Sequence, residues 1–79
     1  MILFEITSRM PNGTAILKFN NGYSFEGMLD ANNYPTSGII ATPKDEKYEI
    51  PEFKEDIYTV FKLIEEGQLN NYKIKEDEQ

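Results

Sequence analysis

The chain has 79 residues, with 14 acidic and 8 basic side chains, a formal net charge of −6, and neither cysteine nor histidine. This length allows one small domain, and the missing residue types exclude disulfide bonds, thiolate or imidazole metal ligands, and Ser–His or Cys–His catalysis. The sequence has no basic segment before its apolar start and no run of ~20 apolar residues, so we expect a cytoplasmic protein without a signal peptide or membrane span.

The first two thirds of the sequence predict β-strands separated by turns. Apolar side chains alternate with other residues at a period of two, which is typical of strands. About five strands are predicted, at residues 2–8, 14–20, 23–29, 38–42 and 47–50. Asn21-Gly22 predicts a type I′ hairpin turn, because this turn requires a positive φ at both central residues. Residues 30–37 are predicted to be a polar loop.

The hydrophobic period then changes to that of a helix. The side chains spaced for one helical face are Phe53, Ile57, Val60, Phe61 and Ile64. Pro51 suits the first helical position, and Gly67 suits the position after the last turn, where a left-handed backbone ends a helix. After Gly67, three apolar residues predict a last short strand or an apolar tail lying on the sheet: Leu69, Tyr72 and Ile74.

Together these elements predict an α+β fold. We expect an antiparallel sheet of about five strands in a hairpin meander, with one C-terminal amphipathic helix packed on a face. Residues 1–75 are expected to form this single domain, and residues 76–79 a frayed acidic tail.

The sequence also contains an internal period. A shift of 23 residues places Gly22 on Asp45 and Phe25 on Tyr48, so that two hairpin units align. Self-similarity at a fixed period of this size is typical of repeat architectures.

The first unit carries residues of a known repeat. Gly13-Thr14-Ala15 stands where that repeat has Gly-x-Gly, Asn21-Gly22 supplies its turn, and Phe25-Glu26-Gly27 matches its Tyr-Glu-Gly. On these residues the chain resembles the MORN repeat, over about one and a half degraded repeats at residues 13–50. The resemblance implies a run of antiparallel hairpins and, in function, protein scaffolding or, for some members, membrane association.

Acidic residues concentrate in the second half, where residues 44–79 hold 11 acids and 6 bases. Glu52, Glu55 and Asp56 have the spacing that would bring three carboxylates together on a helix, where they could hold a hard cation or act in catalysis. Acids at a helix N-terminus are also expected from the helix dipole alone, and we prefer this interpretation. The sequence has no phosphate-binding glycine loop either, so we predict no metal site, no cofactor and no enzymatic activity.

The charge distribution predicts the kind of partner. Acidic surfaces repel nucleic acids and anionic membranes and attract basic proteins, so we expect a non-enzymatic protein-binding module with no direct nucleic-acid or membrane binding. Tyrosines flanked by acids favour protein contacts, and Tyr23, Tyr34, Tyr58 and Tyr72 are expected to be half exposed. The predicted partner-binding residues are Glu52, Glu55, Asp56, Tyr58, Glu65 and Glu66.

Two functional hypotheses follow from these features. The first is a small inhibitor of a basic, nucleic-acid-handling partner, since the chain is similar in size and charge to acidic phage anti-defence proteins. The alternative is a MORN-like structural or scaffold protein that self-associates or docks through its hairpin face. The sequence leaves the partner and the oligomeric state open.

Overall fold

Five strands follow one another in a meander, and each pairs antiparallel with its neighbour in sequence. The computed structural model describes residues 3–75. Its strands are β1 (Phe4–Arg9), β2 (Thr14–Phe19), β3 (Ser24–Leu29), β4 (Pro35–Ala41) and β5 (Lys47–Ile50). One α-helix, α1 (Ile57–Glu65), and a 3₁₀ turn at Asn70–Tyr72 complete the described elements. The predicted α+β fold is therefore confirmed.

The four hairpins share one turn geometry. At the β2–β3 turn, the Phe19 N–H donates to the Tyr23 carbonyl (3.0 Å) and the Gly22 N–H donates to the Phe19 carbonyl (3.1 Å). The same pair of hydrogen bonds closes the other three turns. The last loop residue of each turn has a positive φ: 93° at Gly13, 94° at Gly22, 66° at Asn33 and 67° at Asp45. These are three-residue loops that end in a left-handed residue.

The predicted type I′ turn at Asn21-Gly22 is therefore wrong. Among the described non-glycine residues only Asn33 and Asp45 have a positive φ, so Asn21 does not take the left-handed conformation that a type I′ turn needs. Instead the Asn21 side chain accepts a hydrogen bond from the Tyr23 N–H (3.1 Å), and Asn20 becomes part of the loop. Local side-chain acceptors of this kind favour such turns.

The hairpins β2–β3 and β4–β5 have the same register when one is shifted by 23 residues. Leu17 faces Phe25 in the first hairpin, and Ile40 faces Tyr48 in the second. The internal period of the sequence therefore corresponds to two hairpins with equivalent pairing. The resemblance to the MORN repeat stays a prediction.

A pair of glycines lets an aromatic ring lie against the sheet. Gly27 and Gly38 face each other across β3 and β4. A Cβ atom on Gly38 would lie 2.7 Å from the Gly27 Cα and 2.8 Å from the Phe25 Cε1, where no side chain fits. Glycine is required here because the backbones and the Phe25 ring approach too closely for any other residue.

The helix covers one face of the sheet through aromatic contacts. The ring of Phe61 stacks on Tyr23 (centroids 4.2 Å apart) and meets Phe19 edge-on (4.9 Å). The buried core takes residues from four strands, from the residue before β3 and from the helix: Leu17, Phe19, Tyr23, Phe25, Ile40, Tyr48, Ile50, Ile57, Val60, Phe61 and Ile64. None of these belongs to β1, so the helix side of β1 stays uncovered.

The helix begins at Ile57 and not at Pro51, so the predicted helical start is wrong. The Asp56 side chain caps the helix by accepting a hydrogen bond from the Thr59 N–H (2.8 Å). Upstream, the Phe53 N–H donates to the Thr36 carbonyl (2.9 Å), and the Phe53 ring packs edge-on against Phe25 (5.6 Å). Because the sheet holds Phe53 in this way, the segment before Asp56 cannot continue the helix.

The end of the helix agrees with the prediction. Gly67 has a φ of 78°, and its N–H donates to the Ile64 carbonyl, while the Gln68 N–H donates to the Leu63 carbonyl. This pair of bonds is a Schellman motif, which favours glycine at the left-handed position.

The residues after the helix return to the sheet. Leu69 packs against the core, and Lys73 forms an isolated antiparallel bridge with Tyr48 on β5. The short last strand or apolar tail that the sequence predicts is thus reduced to one bridge.

The predicted acidic tail at residues 76–79 lies outside the described residues. Within residues 3–75, no helix is long and apolar enough to cross a membrane.

Candidate partner-binding surface around the helix

An open groove of about 790 Å³ lies on the helix side of the sheet, at the N-terminal end of α1. Strand β2, the β3–β4 turn and the segment leading into α1 form its walls. Five aromatic rings line it, those of Phe4, Phe19, Tyr34, Phe53 and Tyr58, and we call it the aromatic groove.

Three of these rings are exposed to solvent. The exposed fraction is 42% for Phe4, 66% for Tyr34 and 40% for Tyr58. Phe4 packs on the buried Phe19 (5.4 Å), and Tyr58 meets Phe19 edge-on (6.0 Å). Exposed aromatic side chains that line one groove are typical of interaction sites.

Strand β1 brings Phe4 to the aromatic groove and leaves the Phe4 side chain exposed. Phe4 pairs with Phe19 and Ile6 with Leu17, so both point to the helix side of the sheet. The pairing then shifts at a bulge between Ile6 and Ser8. At the end of the strand, the Arg9 guanidinium donates a hydrogen bond to Asn33 Oδ1 (2.7 Å), which connects β1 to the β3–β4 turn at the rim of the groove.

The rim of the aromatic groove is charged. Lys54, Glu55 and Asp56 border it next to Tyr58. The hydrogen bonds from Thr59 lower the pKa of Asp56, so this carboxyl group stays ionised at neutral pH. Among residues 3–75 the only ion pair joins Lys73 to Glu46 (3.5 Å), so Glu55 and Asp56 have no cationic partner within the described part of the chain.

A second, smaller pocket of about 400 Å³ lies at the C-terminal end of α1, and we call it the tyrosine pocket. The Tyr23 hydroxyl donates a hydrogen bond to Glu65 Oε2 (3.1 Å). Burial, and then the neighbouring Glu65 carboxylate, raise the pKa of Tyr23 to about 12. Tyr48 and Glu46 also line this pocket.

The structure distributes the predicted partner-binding residues over both ends of the helix. Glu55, Asp56 and Tyr58 border the aromatic groove, and Glu65 lines the tyrosine pocket. The nine-residue helix separates these two places by about 13 Å. Glu66 is the exposed C-cap residue of α1, and the exposed Glu52 lies in the segment before the helix, outside both pockets.

The three acids Glu52, Glu55 and Asp56 do not share a helical face, because the helix begins only at Ile57. Within the described range, no group of three or more potential metal-ligating side chains is close enough to hold an ion. The interpretation as a helical carboxylate cluster is therefore wrong for these residues.

Sequence reasoning missed some of the residues that form these two sites. The sequence predicts a half-exposed Tyr23, but the residue is only 5% exposed because its ring stacks on Phe61. The sequence places Phe4 in a strand, but no sequence pattern indicates that Phe4 and Ile6 on its helix side are exposed. The sequence identifies Tyr48 only as the counterpart of Phe25 in the second unit. Tyr34 and Tyr58 are exposed, as predicted.

Comparisons of the chain with protein-family models, with curated proteins and with solved structures give no match.

Proposed function

We propose that the protein is a small, non-enzymatic protein-binding module that docks onto a partner with a basic surface. The observation that carries this proposal is the aromatic groove, in which exposed rings stand beside carboxylates that form no ion pair within residues 3–75. A few anchor residues, among which Tyr, Trp and Arg are enriched, carry most of the binding energy in protein interfaces, and surrounding charges add specificity and speed association.

The distribution of charge supports a basic partner. With a net charge of −6, the protein repels acidic surfaces and steers positively charged ones toward itself. Glu55 and Asp56 lie beside Tyr58, so an apolar side chain of the partner can enter the groove while its basic residues meet the rim. In its more specific form, the proposal is that the partner handles nucleic acid and that the protein inhibits it by covering a basic surface.

Affinity capture from the native cell tests this proposal. The bait is the full chain, compared with a Tyr34→Ser/Tyr58→Ser variant and with Tyr72→Ser as a matched control. Tyr72 is also an exposed tyrosine, but it lies outside the aromatic groove. We expect the wild type and the Tyr72 variant to retain one basic protein, and the groove variant to lose it.

Salt dependence provides the second measurement. Exposed charges are screened within a Debye length of about 8 Å at physiological salt, so the complex should dissociate as the salt concentration of the wash rises. Capture that is unchanged by the groove substitutions, or that is insensitive to salt, would contradict the proposal.

The alternative is a scaffold that self-associates, and one observation favours it. Among the described residues, the outer edge of β1 pairs with no other strand, and Phe4 and Ile6 are exposed beside it. The bulge after Ile6 and the like charge of two copies oppose such pairing. Light scattering over a range of protein concentrations distinguishes the two, because self-association predicts a mass that rises with concentration.

A further inference from the structure

We infer that the tyrosine pocket binds the guanidinium group of an arginine side chain presented by the partner. This inference rests on the proposed function, because it takes the arginine from the partner's basic surface. It adds a second contact, at the opposite end of α1 from the aromatic groove, with its own chemistry.

The first argument is an unused hydrogen-bonding group. Tyr48 lines the pocket and is only 4% exposed, yet its hydroxyl has no hydrogen-bond partner among residues 3–75. No fully buried side-chain oxygen or nitrogen in the described part of the chain lacks a partner, so this hydroxyl reaches solvent, and its electrostatic effect on Tyr23 places it near the Tyr23 hydroxyl in the pocket lining. A hydroxyl group held in this way can accept a hydrogen bond from a ligand.

The second argument is the orientation of Glu65. Its Oε2 atom accepts the hydrogen bond from the buried Tyr23, which holds the carboxylate at the pocket. A carboxylate accepts several hydrogen bonds, so one from Tyr23 leaves capacity for a ligand. Glu65 forms no ion pair within residues 3–75, whereas Glu46, on the other side of the pocket, is paired with Lys73.

The third argument is the electrostatic field. Glu65 is the last residue of α1, where the helix dipole places a partial negative charge that favours cations. Glu65 and Glu46 both raise the pKa of Tyr23, so both act on the interior of the pocket. Among the described residues that line it, Lys44 is the only cationic side chain. An anion would meet two carboxylates here, and an apolar group would leave the Tyr48 hydroxyl without a partner.

The donor count favours arginine over lysine. A guanidinium presents five N–H donors in a plane, is more weakly hydrated than an ammonium group, and stacks on aromatic rings. The Glu65 carboxylate and the Tyr48 hydroxyl can accept several of these hydrogen bonds, whereas the rings of Tyr23 and Tyr48 are buried and leave little area for stacking. The pocket volume of about 400 Å³ is sufficient for one long side chain.

The test is an NMR titration of the isotope-labelled full chain with N-acetyl-arginine methylamide. We expect saturable chemical-shift changes confined to the backbone around Tyr23, residues 42–48 and Glu65. Glu65→Gln removes the charge and should weaken binding by about tenfold or more, the usual effect of a lost charged hydrogen bond. Glu66→Gln is the matched control, because it removes the same charge from the adjacent residue, which does not line the pocket.

Further arms distinguish a specific site from general attraction. Tyr48→Phe keeps the ring and removes the hydroxyl, so it should also weaken binding. N-acetyl-lysine methylamide should bind more weakly than the arginine compound, and equal affinity would overturn the arginine assignment. Shifts spread over the whole acidic surface, or equal binding by wild type and Glu65→Gln, would overturn the pocket itself.

The two proposals fail separately. The titration uses no partner protein, and the capture experiment tests substitutions in the aromatic groove alone. Partner capture that depends on Tyr34 and Tyr58, together with absent arginine binding, would refute only the pocket. Arginine binding that depends on Glu65, together with capture that is unaffected by the groove substitutions, would refute only the proposed docking mode.

Discussion

Replacing Gly27 with alanine tests the packing on which the sheet depends. A Cβ atom at this position would lie 2.6 Å from the Gly38 Cα and 2.9 Å from the Phe25 Cζ, and still closer to the Ser37 carbonyl oxygen. Ordinary contacts begin near 3.4 Å, so the Gly38 Cα would have to move by about 0.8 Å and the Ser37 carbonyl oxygen by more. Two of the three obstacles are backbone atoms of β4, which is paired with β3 here and cannot turn aside as a side chain can.

The substitution is expected to lower the free energy of unfolding by about 3 kcal/mol, at the upper end of the range for overpacked cores. In a domain of this size, 1 kcal/mol corresponds to roughly 4–8 °C in Tm, so Gly27→Ala should lower Tm by about 12–24 °C. Thermal unfolding followed by circular dichroism measures the change, and urea unfolding gives the free energy of unfolding independently.

Gly67→Ala is the control, because its cost has a different physical origin. Gly67 has a φ of 78°, but an added Cβ would meet only the Asn70 Nδ2 atom, at 3.7 Å. The left-handed conformation costs an alanine about 1–2 kcal/mol. Gly27 does not have a positive φ, so the destabilisation by Gly27→Ala comes from the steric clash alone. If Gly27→Ala lowers Tm no more than Gly67→Ala does, the close approach of β3 and β4 at Phe25 is refuted.

Further predictions concern three residues in and near α1: Asp56, Tyr23 and Phe53. Asp56→Ala removes the acceptor for the Thr59 N–H and should lower Tm. Asp56→Asn keeps an acceptor and should lower Tm less. Equal effects of the two substitutions would contradict the capping hydrogen bond. Hydrogen bonds from Thr59 lower the pKa of Asp56 below 3.8. The stabilisation by the ionised carboxylate is therefore present above that pH and is lost on further acidification. The Asp56→Asn variant should lack this loss of stability when it is unfolded by acid. Burial and Glu65 raise the pKa of Tyr23 from 10.0 to about 12. The folded protein therefore keeps the hydroxyl proton to a higher pH than the unfolded chain does. The free energy of unfolding should fall as the pH rises between these two values. Glu65→Gln should lower the pKa of Tyr23, as measured by ultraviolet titration of tyrosinate, and an unchanged value would contradict the hydrogen bond. Phe53→Ala removes a half-buried ring and should lower the free energy of unfolding in urea by about 2 kcal/mol, while the helical circular-dichroism signal persists. A loss of helical signal would indicate that α1 begins earlier than Ile57.

The hairpin turns show how far local sequence reasoning extends. Asn21-Gly22 predicted a turn at the right place, because glycine at a left-handed position is a property of a few neighbouring atoms. The loop length was wrong, because it depends on which residues of β2 and β3 pair, and this register brings Leu17 opposite Phe25 in the core.

The start of the helix shows the competing influence of the sheet. Phe53 has the spacing of the apolar helical face, and the sequence alone cannot distinguish a helical Phe53 from one that precedes the helix. In the fold, the Phe25 ring and the Thr36 carbonyl both contact Phe53, and these contacts come from strands that are distant in sequence. The helix therefore begins only where Asp56 can cap it.

The sequence by itself determined the α+β class, the order of the five strands, the end of the helix at Gly67 and the acidic character of its surroundings. These depend on periodicity, on glycine conformation and on charge, which are properties of neighbouring residues. Only the tertiary structure decided that Tyr23 is buried and that Phe4, Tyr34 and Tyr58 meet in one groove. These side chains come from three distant segments, and the way the sheet and helix pack decides which of them are covered and which stay exposed.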